Sequence, residues 1–301
     1  MLRHRDAEIV HLNSAFDRRG LMRDVWFVGI ARLLGKHVVI KFHGSDLSFL
    51  RNARLWWRVL RTLLVRRHTT LCVLSQEERE AFVAAFPRAH VVAVKNALDL
   101  SRYERADDVR PKYSIPPDKP VLLFVARFIE SKGLHEVLRA LPMIREQHDV
   151  HAVLVGDGPV RAKAEEMCRQ LRIESYATFT GYVPEEETVG FYRAASLLLF
   201  PTYHQEGMPM VIFHSLACGL PIVTTRIRAA ADWLEDGVHC RFVPPRNPHE
   251  LARATCALLD DPALRRRMGA NGRALARTFD RRTVAGEFLS LYESITPDSR
   301  G

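Results

Sequence analysis

The sequence of 301 residues predicts an α/β protein with two domains, each built on a parallel, doubly wound sheet. Short apolar segments alternate with helical patterns along most of the chain, which is typical of parallel strands joined by crossover helices. The apolar segments are continuous rather than alternating, as expected for strands that are buried on both faces. A stretch rich in Asp and Pro at residues 106–119 separates two such series, and we interpret it as a linker.

The C-terminal series has the clearer pattern. Its apolar segments predict strands at 121–126, 152–155, 177–181, 197–200 and 222–225. Helical spacing predicts helices from about 134 to 141 and near 160–171, 185–194 and 209–218. The N-terminal series predicts strands at 8–12, 36–42, 70–74 and 90–94. We therefore expect an N-terminal domain at 1–105, a C-terminal domain at 120–280, and a last helix at 281–301 that packs back toward the N-terminal domain.

Charge is distributed unevenly along the chain. The net charge of +9 lies entirely in residues 1–67, which hold 14 Lys and Arg against 5 Asp and Glu. Such asymmetry indicates an anionic partner, which can be a membrane, a nucleic acid or an acidic ligand.

No segment approaches the ~18 apolar residues of a transmembrane helix, and the start lacks the apolar core of a signal peptide. Five scattered cysteines without a Cys-x-x-Cys pair favour reduced thiols, so we expect a cytoplasmic protein.

Two candidate binding loops follow predicted strands of the C-terminal domain. Arg127 and Lys132 follow the strand at 121–126, and ligands of such sheets bind at the carboxyl ends of strands. Two cations on one loop suit a diphosphate, although the pair alone is equally compatible with solvated surface charges. Gly156 and Gly158 follow the next strand, where glycine lets the backbone approach a ligand closely or simply forms a tight turn. The dinucleotide signature is absent, because Arg161 occupies the place of its third glycine.

A third candidate is the segment from Glu206 to His214. Pro209 suits the first turn of a helix and Gly219 suits its end, so free N–H groups at the helix start would form a seat for phosphate. Glu206 lies directly before this seat and favours a neutral group such as sugar hydroxyls, or is an ordinary acid near a helix start. On the N-terminal side, His43 ends a strand, where it either faces the same ligand or makes a structural hydrogen bond.

Together these segments resemble glycosyltransferase family 4 of the GT-B fold. The resemblance covers roughly residues 118–260 and rests on five segments, 124–133, 155–159, 179–183, 201–207 and 217–225. It implies two Rossmann-like domains around a cleft, and retaining transfer of a hexosyl unit from a UDP- or GDP-linked sugar, with no metal and no cofactor. We expect the acceptor to be a saccharide or a lipid-linked molecule of surface polysaccharide biosynthesis.

The resemblance also implies roles for individual residues. Glu206 and His43 would contact the donor sugar as the catalytic pair. The donor diphosphate would be held by Arg127, Lys132, Gly207, Met208, Pro209 and Met210. The nucleotide would be held by Gly156, Gly158, Tyr182 and His214.

Two features depart from the family pattern. The family has a second glutamate eight positions after the first, whereas this chain has His214, which loses a charged acceptor for the ribose hydroxyls. Only 42 residues precede His43, so we expect an incomplete N-terminal domain with an open sheet edge. Two other functions therefore stay open. One is a non-catalytic nucleotide-sugar-binding partner subunit, and the other is a nucleotide-sugar epimerase of the same fold.

A basic stripe within 47–67 points to a partner outside the cleft. Its arginines share one helical face and are accompanied by a tryptophan, and the residues concerned are Arg51, Arg54, Arg58, Arg61 and Trp56. Cations with an interfacial aromatic suit an anionic membrane surface, although the helix could instead pack into its own domain. No nucleic-acid motif is recognised, so nucleic acid is not expected as a partner. We expect a cytoplasmic protein bound peripherally to the inner face of the cell membrane.

Overall fold

The computed structural model describes residues 6–51 and 68–296, which form ten strands and ten α-helices. The strands are β1 (Ile9–Phe16), β2 (His37–Ser45), β3 (Thr69–Val73), β4 (His90–Ala93), β5 (Val121–Val125), β6 (His151–Val155), β7 (Ala177–Gly181), β8 (Leu197–Phe200), β9 (Ile222–Thr224) and β10 (Cys240–Phe242). The helices are α1 (Arg18–Leu33), α2 (Gln76–Ala85), α3 (Leu134–Arg145), α4 (Arg161–Gln170), α5 (Glu185–Ala194), α6 (Met210–Cys218), α7 (Arg228–Trp233), α8 (Pro248–Asp260), α9 (Pro262–Ala276) and α10 (Arg281–Ile295).

The chain divides into two compact units. The N-terminal unit comprises the described residues up to Ala97, the short segment Gln205–Met208 and the described residues from Arg282 onward. The C-terminal unit comprises Leu98–His204 and Pro209–Arg281. The domain bounds expected from the sequence stay a prediction. Across the two described ranges, no helix combines the length and the apolar character needed to cross a bilayer.

The N-terminal unit contains a parallel sheet in the order β1-β2-β3-β4. Phe16, Phe42 and Phe82 lie at the centre of its core, with ring centroids 4.6 to 5.6 Å apart. These rings fix where β1, β2 and α2 meet, because tightly packed aromatic groups tolerate little displacement. The register pairs Asn13 of β1 with Lys41 of β2 and Phe16 with Ser45, so the last residues of these two strands lie side by side.

The C-terminal unit contains a six-stranded parallel sheet in the order β10-β9-β8-β5-β6-β7. Its central strands β6 and β8 are buried throughout and β5 is buried except at half-buried Val125, as their continuous apolar sequences predict. On one side of β5 the next strand is β6 and on the other side it is β8, so the order reverses at β5. In open α/β sheets such a switch point forms a ligand-binding crevice at the carboxyl ends of the strands. The predicted α/β class with parallel sheets is confirmed.

Residues 106–119 contain neither helix nor strand and belong to the C-terminal unit. Val109 and Ile115 are buried there. The guanidinium of Arg110 donates hydrogen bonds to the carbonyls of Pro117 (2.6 Å) and Ala194 (2.9 Å). The segment is thus packed along its own unit by apolar contacts and by hydrogen bonds.

Candidate active site

Arg127 lies in the loop that follows β5, at the carboxyl edge of the C-terminal sheet. Main-chain hydrogen bonds hold this loop on both sides of it: the N–H of Ala126 donates to Val155 (3.1 Å), and that of Phe128 donates to Asp157 (2.8 Å). Phe128 is fully buried, whereas Arg127 is exposed. The loop therefore presents a guanidinium from a main chain that is fixed on either side.

The glycine turn after β6 packs against this same loop. Gly156 has a φ of 137°, and a Cβ atom on it would lie 1.9 Å from the carbonyl oxygen of Ala126. A Cβ atom on Gly158 would lie 2.5 Å from the carbonyl oxygen of Phe128. Only glycine permits this backbone at this distance. The structure thus gives both glycines a role in positioning the Arg127 loop, and their predicted contact with a nucleotide stays a prediction.

Lys132 ends a short 3₁₀ turn, Glu130–Lys132, and its side chain is only 8% exposed. Its ammonium lies 5.7 Å from the ring centroid of Phe200, the last residue of β8. Burial lowers the pKa of Lys132 to about 8, because an ammonium is less stable away from water. A buried cation thus lies at the switch point between β5 and β8, where the crevice is expected.

Hydrogen bonds join the turn before Lys132 to the loop after β8. The carbonyl of Ser131 accepts from the N–H of Tyr203 (2.8 Å) and from the hydroxyl of Thr202 (3.2 Å). The hydroxyl of Ser131 lies 2.9 Å from Nδ1 of His204. The positions of the two loops are therefore coupled, and a ligand that orders one of them also orders the other.

Two basic residues of this edge were not singled out from the sequence. Arg228 begins α7, is buried, and has a φ of 39°, which is uncommon outside glycine. His204 lies close enough to Lys132 and Arg228 that both cations, after burial itself, lower its pKa. The segment 226–232 is part of the resemblance to the family, but the sequence assigns Arg228 no role there, and the fold places it, like Lys132, close to His204.

Helix α6 begins at Met210, with Pro209 as its N-cap residue, and its cap has no side-chain hydrogen bond. The helix ends at Gly219, which has a φ of 69°, in agreement with the sequence. Pro209 was predicted to lie in the first turn, and the structure places it one residue earlier, at the N-cap. The N–H groups at the start of α6 remain the predicted phosphate seat.

The segment just before α6 belongs to the N-terminal unit. A Cβ atom on Gly207 would lie 3.0 Å from a carboxylate oxygen of Glu78. The sulfur of Met208 accepts a hydrogen bond from the N–H of Asn96 (3.2 Å). The boundary between the units thus falls inside the predicted motif, directly after Met208. The contacts predicted for Glu206 and for Gly207 to Met210 with a donor stay predictions.

His43 lies near the carboxyl end of β2 and is exposed. Its Nε2 atom lies 2.8 Å from Oδ1 of Asn13. Burial of part of the ring, and the nearby ammonium of Lys41, lower the pKa of His43. Lys41 itself is buried, and it donates to the carbonyl of Lys95 (3.1 Å). The imidazole is thus neutral at pH 7 and is held by an amide, which suits hydrogen bonding to a hydroxyl.

His214 is held inside the C-terminal unit. It shares a hydrogen bond with the hydroxyl of Tyr103, and its ring centroid lies 5.8 Å from that of Tyr192. Burial lowers its pKa to about 4, so the imidazole is neutral at pH 7. Tyr182, the other side chain predicted to contact the nucleotide, is 78% exposed after β7. The predicted contacts of His214 and Tyr182 with a nucleotide stay predictions.

The basic stripe falls almost entirely outside the described residues. Arg54, Trp56, Arg58 and Arg61 lie between the two described ranges. The backbone of Arg51 ends the turn Leu47–Arg51, but its side chain is not described. The predicted membrane-facing helix stays a prediction.

Comparison with solved structures identifies the fold. HepE from Anabaena, solved in complex with UDP, matches with a TM-score of 0.82 at 21% identity, over 97% of this chain and 80% of that one. The fold is that of the GT-B glycosyltransferases.

Sequence comparison identifies the family. A family model described as glycosyl transferases group 1 matches residues 106–275, which is more than half of the chain. The alpha-D-kanosaminyltransferase of Streptomyces kanamyceticus is 26% identical over 88% of this chain and 72% of its own length. The D-inositol 3-phosphate glycosyltransferase of Corynebacterium glutamicum is 26% identical over 90% of this chain and 68% of its own length. The chain belongs to the group 1 glycosyl transferases.

Proposed function

We propose that this chain transfers a hexosyl unit from a nucleotide-sugar donor to a saccharide or lipid-linked acceptor. The observation that carries the proposal is the buried ammonium of Lys132 at the switch point, on the same loop as Arg127. Burying a cation is unfavourable, and a bound diphosphate offsets part of that free energy by pairing with it. Membership of the glycosyltransferase family supports the same chemistry.

The two cations would act on the leaving group. As the bond between the sugar C1 atom and the diphosphate oxygen breaks, negative charge develops on the diphosphate. Arg127 and Lys132 would stabilise that charge in place, with the N–H groups at the start of α6. The acceptor oxygen would bond to C1 from the same face, and its proton would pass to the departing diphosphate. This scheme retains the anomeric configuration, and it includes neither a protein nucleophile nor a metal ion.

Two further residues would hold the sugar. Glu206 would accept hydrogen bonds from donor hydroxyls, and the neutral imidazole of His43 would contact the sugar. The solved complex of HepE contains UDP, so we propose a uridine donor, with a guanosine donor as the competing outcome of the titration below.

Binding of UDP to charge variants tests the proposal. Removing one charged hydrogen-bond partner of a diphosphate typically weakens binding by about tenfold or more. We expect this loss in Arg127→Gln and in Lys132→Gln, measured by calorimetric titration of UDP and GDP. Arg139→Gln, on the exposed face of α3, is the matched control and should bind as the unaltered chain does. Undiminished UDP affinity and transfer in both site variants would contradict the proposal.

The geometry of His214 favours a second candidate, a nucleotide-sugar-binding partner subunit without transfer activity. The hydrogen bond to Tyr103 and the low pKa make this residue a neutral, internally engaged group where the family has a carboxylate. Such a site would bind the nucleotide weakly. Transfer and donor-hydrolysis assays separate the candidates, because the partner subunit binds UDP-sugar and consumes none of it.

We also propose that the protein acts peripherally at the inner face of the cell membrane, in surface polysaccharide biosynthesis. Helix α1 supports this proposal, because it exposes large apolar side chains next to exposed cations. The apolar set is Met22, Trp26, Phe27, Ile30 and Leu33, and the cations are Arg18, Arg19 and Arg23. Apolar groups with an interfacial tryptophan and cations are typical of proteins that bind anionic membranes.

Vesicle binding tests this membrane proposal. We expect the protein to sediment with vesicles that contain phosphatidylglycerol, and not with vesicles of phosphatidylcholine alone. The double variant Trp26→Ser, Leu33→Ser should lose this binding, since both residues are exposed, at 74% and 89%, and lie on α1. Equal sedimentation of the double variant would exclude α1 as the membrane-binding surface.

A further inference from the structure

The C-terminal unit contains a cavity that the proposed transfer reaction does not use. Its volume is about 360 Å³. Pockets of roughly this size hold small organic ligands. The cavity is lined by Tyr103, Tyr192, Arg193, Ala195, Ala217, Cys218, Gly219, Leu220, Pro221 and Arg273.

This cavity lies at the amino edge of the sheet, opposite the crevice described above. Ala195 comes just before β8, and Pro221 comes just before β9. Both strands run from this cavity toward the edge that carries the loop after β8. The proposed donor contacts lie at the carboxyl ends of the strands, so a ligand in this cavity would not occupy the donor site.

One wall of the cavity contains a buried phenol that has an unused hydrogen-bonding group. Tyr192 is only 2% exposed, and burial raises its pKa well above the ordinary value. Among the described residues, its hydroxyl makes no hydrogen bond, although its ring packs against His214. The hydroxyl oxygen is not one of the polar atoms that are sealed from solvent without a partner, so it opens into the cavity and can donate to a bound ligand.

Two guanidinium groups line the same cavity, and both lie close enough to Cys218 to act on the pKa of its thiol. Arg193 is fixed through Nη1, which donates to the carbonyls of Tyr103 (3.0 Å) and Glu104 (3.1 Å). Arg273 donates from Nη1 to the carbonyl of Cys218 (3.5 Å). Both residues are exposed, and the hydrogen bonds described for them use Nη1 alone, so each keeps further N–H donors.

The other side chains that line the cavity carry no negative charge. None of the lining residues in the described ranges is acidic. Burial raises the pKa of Cys218 to about 12, so its thiol is uncharged at pH 7. The carboxylate that acts on Tyr192 from nearby is that of Glu185, and it pairs with Arg102 at 2.9 Å. The lining itself therefore combines two cations and one phenol donor. The nearby carboxylates lie outside the lining: Glu185 and Asp99 are close to Tyr103, and Asp107 and Asp108 share a neighbouring pocket with Arg193.

We propose that this cavity binds a small organic phosphate. The guanidinium groups of Arg193 and Arg273 hold the phosphate oxygens, as guanidinium forks commonly do. The neutral body of the ligand fills the space between the tyrosine rings and Ala217, and the hydroxyl of Tyr192 donates to a ligand oxygen.

The site is connected to the predicted nucleotide-binding residue. Tyr103 lines the cavity and also shares a hydrogen bond with His214. A ligand that moves the phenol of Tyr103 therefore changes the hydrogen bonding of His214. Binding at this cavity is thus coupled to the nucleotide site through two adjacent side chains.

Titration of phenyl phosphate tests the proposal, with inorganic phosphate as a second probe. The experiment uses the full chain carrying Arg127→Gln, without UDP, so that phosphate binding at the proposed donor site is weakened and no other organic phosphate competes for the cavity. We expect one phenyl phosphate to bind by calorimetry, more tightly than inorganic phosphate because its ring fills the cavity. Tyr192→Phe should weaken binding by about threefold to tenfold, and Arg193→Gln with Arg273→Gln by about a hundredfold.

Two comparisons make the outcome decisive. Arg253→Gln removes an exposed guanidinium of α8 that lies outside the cavity, and it should bind phenyl phosphate as the parent does. Tyr192→Phe should keep the thermal midpoint of the parent, because the hydroxyl that it removes has no described partner. Its affinity for phenyl phosphate therefore tests the proposal even if the double arginine variant does not fold. Equal affinity in Tyr192→Phe, Arg253→Gln and the parent would overturn the proposal. Binding that appears only when Arg127 is present would also overturn it, because the phosphate would then occupy the donor site.

Discussion

Nε2 of His43 lies 2.8 Å from Oδ1 of Asn13, and this contact defines which ring nitrogen carries the proton. An amide oxygen only accepts hydrogen bonds, so Nε2 of His43 is the donor. When the ring is neutral, Nδ1 is therefore the acceptor and is left to receive a hydrogen bond from a sugar hydroxyl. If His43 contacts the donor sugar as proposed, Asn13 is a positioning residue, because it would act on the sugar only through His43.

The first prediction changes this amide to a carboxylate. In Asn13→Asp, the negative charge stabilises the imidazolium, so the pKa of His43 should rise. In Asn13→Leu, Nε2 should lose its fixed partner and the proportion of the two tautomers should change. Both effects are measured by ¹⁵N NMR of the histidine rings as a function of pH, and His239 in the C-terminal unit should titrate unchanged in every variant. An unchanged His43 titration in Asn13→Asp would show that the two side chains do not interact.

The second prediction concerns the pH dependence of Lys132. Its pKa of about 8 lies below the ordinary value for lysine, so the folded protein releases this proton before the unfolded chain does. The free energy of unfolding should therefore gain a contribution as pH rises through 8, because the unfolded chain then holds the extra proton. UDP binding should change in the opposite direction and weaken above pH 8, as the ammonium that pairs with the diphosphate is lost.

A substitution separates these two effects. Lys132→Met should raise the free energy of unfolding at pH 7 by on the order of 1–3 kcal/mol, because a pKa lowered to about 8 means that the folded protein disfavours the charged form of this side chain. The same variant should bind UDP at least tenfold more weakly and lose the dependence on pH near 8. Lys163→Met, at an exposed position of α4, is the control and should show neither change. A destabilised Lys132→Met protein would mean that the ammonium is already stabilised by its surroundings in the free protein.

The third prediction tests how Gly156 positions the Arg127 loop. Alanine at this position would meet the carbonyl of Ala126, and its backbone conformation is unfavourable for any residue with a Cβ atom. Gly156→Ala should lower the free energy of unfolding by on the order of 2 kcal/mol and should also weaken UDP binding. Gly29→Ala is the matched control, since α1 leaves open space there, and it should be neutral or stabilising by up to about 1 kcal/mol. Chemical denaturation and UDP titration measure both quantities.

Much of the fold could be predicted because its strands are apolar along their whole length. The segment expected at 197–200 is β8, and that expected at 121–126 is β5 without its last residue. Strand β10 was missed because it has only three residues, one of them arginine, and so carries no apolar pattern. Helix α1 is hard to recognise for another reason. Its exposed side carries apolar residues such as Trp26 and Leu33, so the sequence does not separate a buried from a solvent-facing side.

The site was harder to predict, because its chemistry depends on contacts between distant residues. Arg127 and Lys132 were located from their place after a strand, but the sequence does not distinguish an exposed cation from a buried one. The structure buries Lys132 beside Phe200, and the next residue, Gly133, packs on Pro201 so closely that a Cβ atom would lie 2.5 Å from its carbonyl oxygen. The hydrogen bond of His214 with Tyr103 joins residues 111 positions apart, and no local pattern indicates it.

The fourth prediction asks whether His214 limits nucleotide binding. The imidazole is neutral at pH 7 and is already engaged by Tyr103, so it offers the ribose hydroxyls no charged acceptor. In His214→Glu, a carboxylate oxygen can accept from Tyr103 while the other accepts from ribose. Because a hydrogen bond to a charged group contributes roughly 1.5–3 kcal/mol, UDP should bind about tenfold more tightly or better. His214→Gln offers a similar shape without the charge and should change the affinity less than threefold. If both variants bind UDP as the parent does, the ribose does not lie near this residue. If His214→Glu also gains transfer activity from a parent that has none, then the unaltered chain is the binding subunit rather than the enzyme.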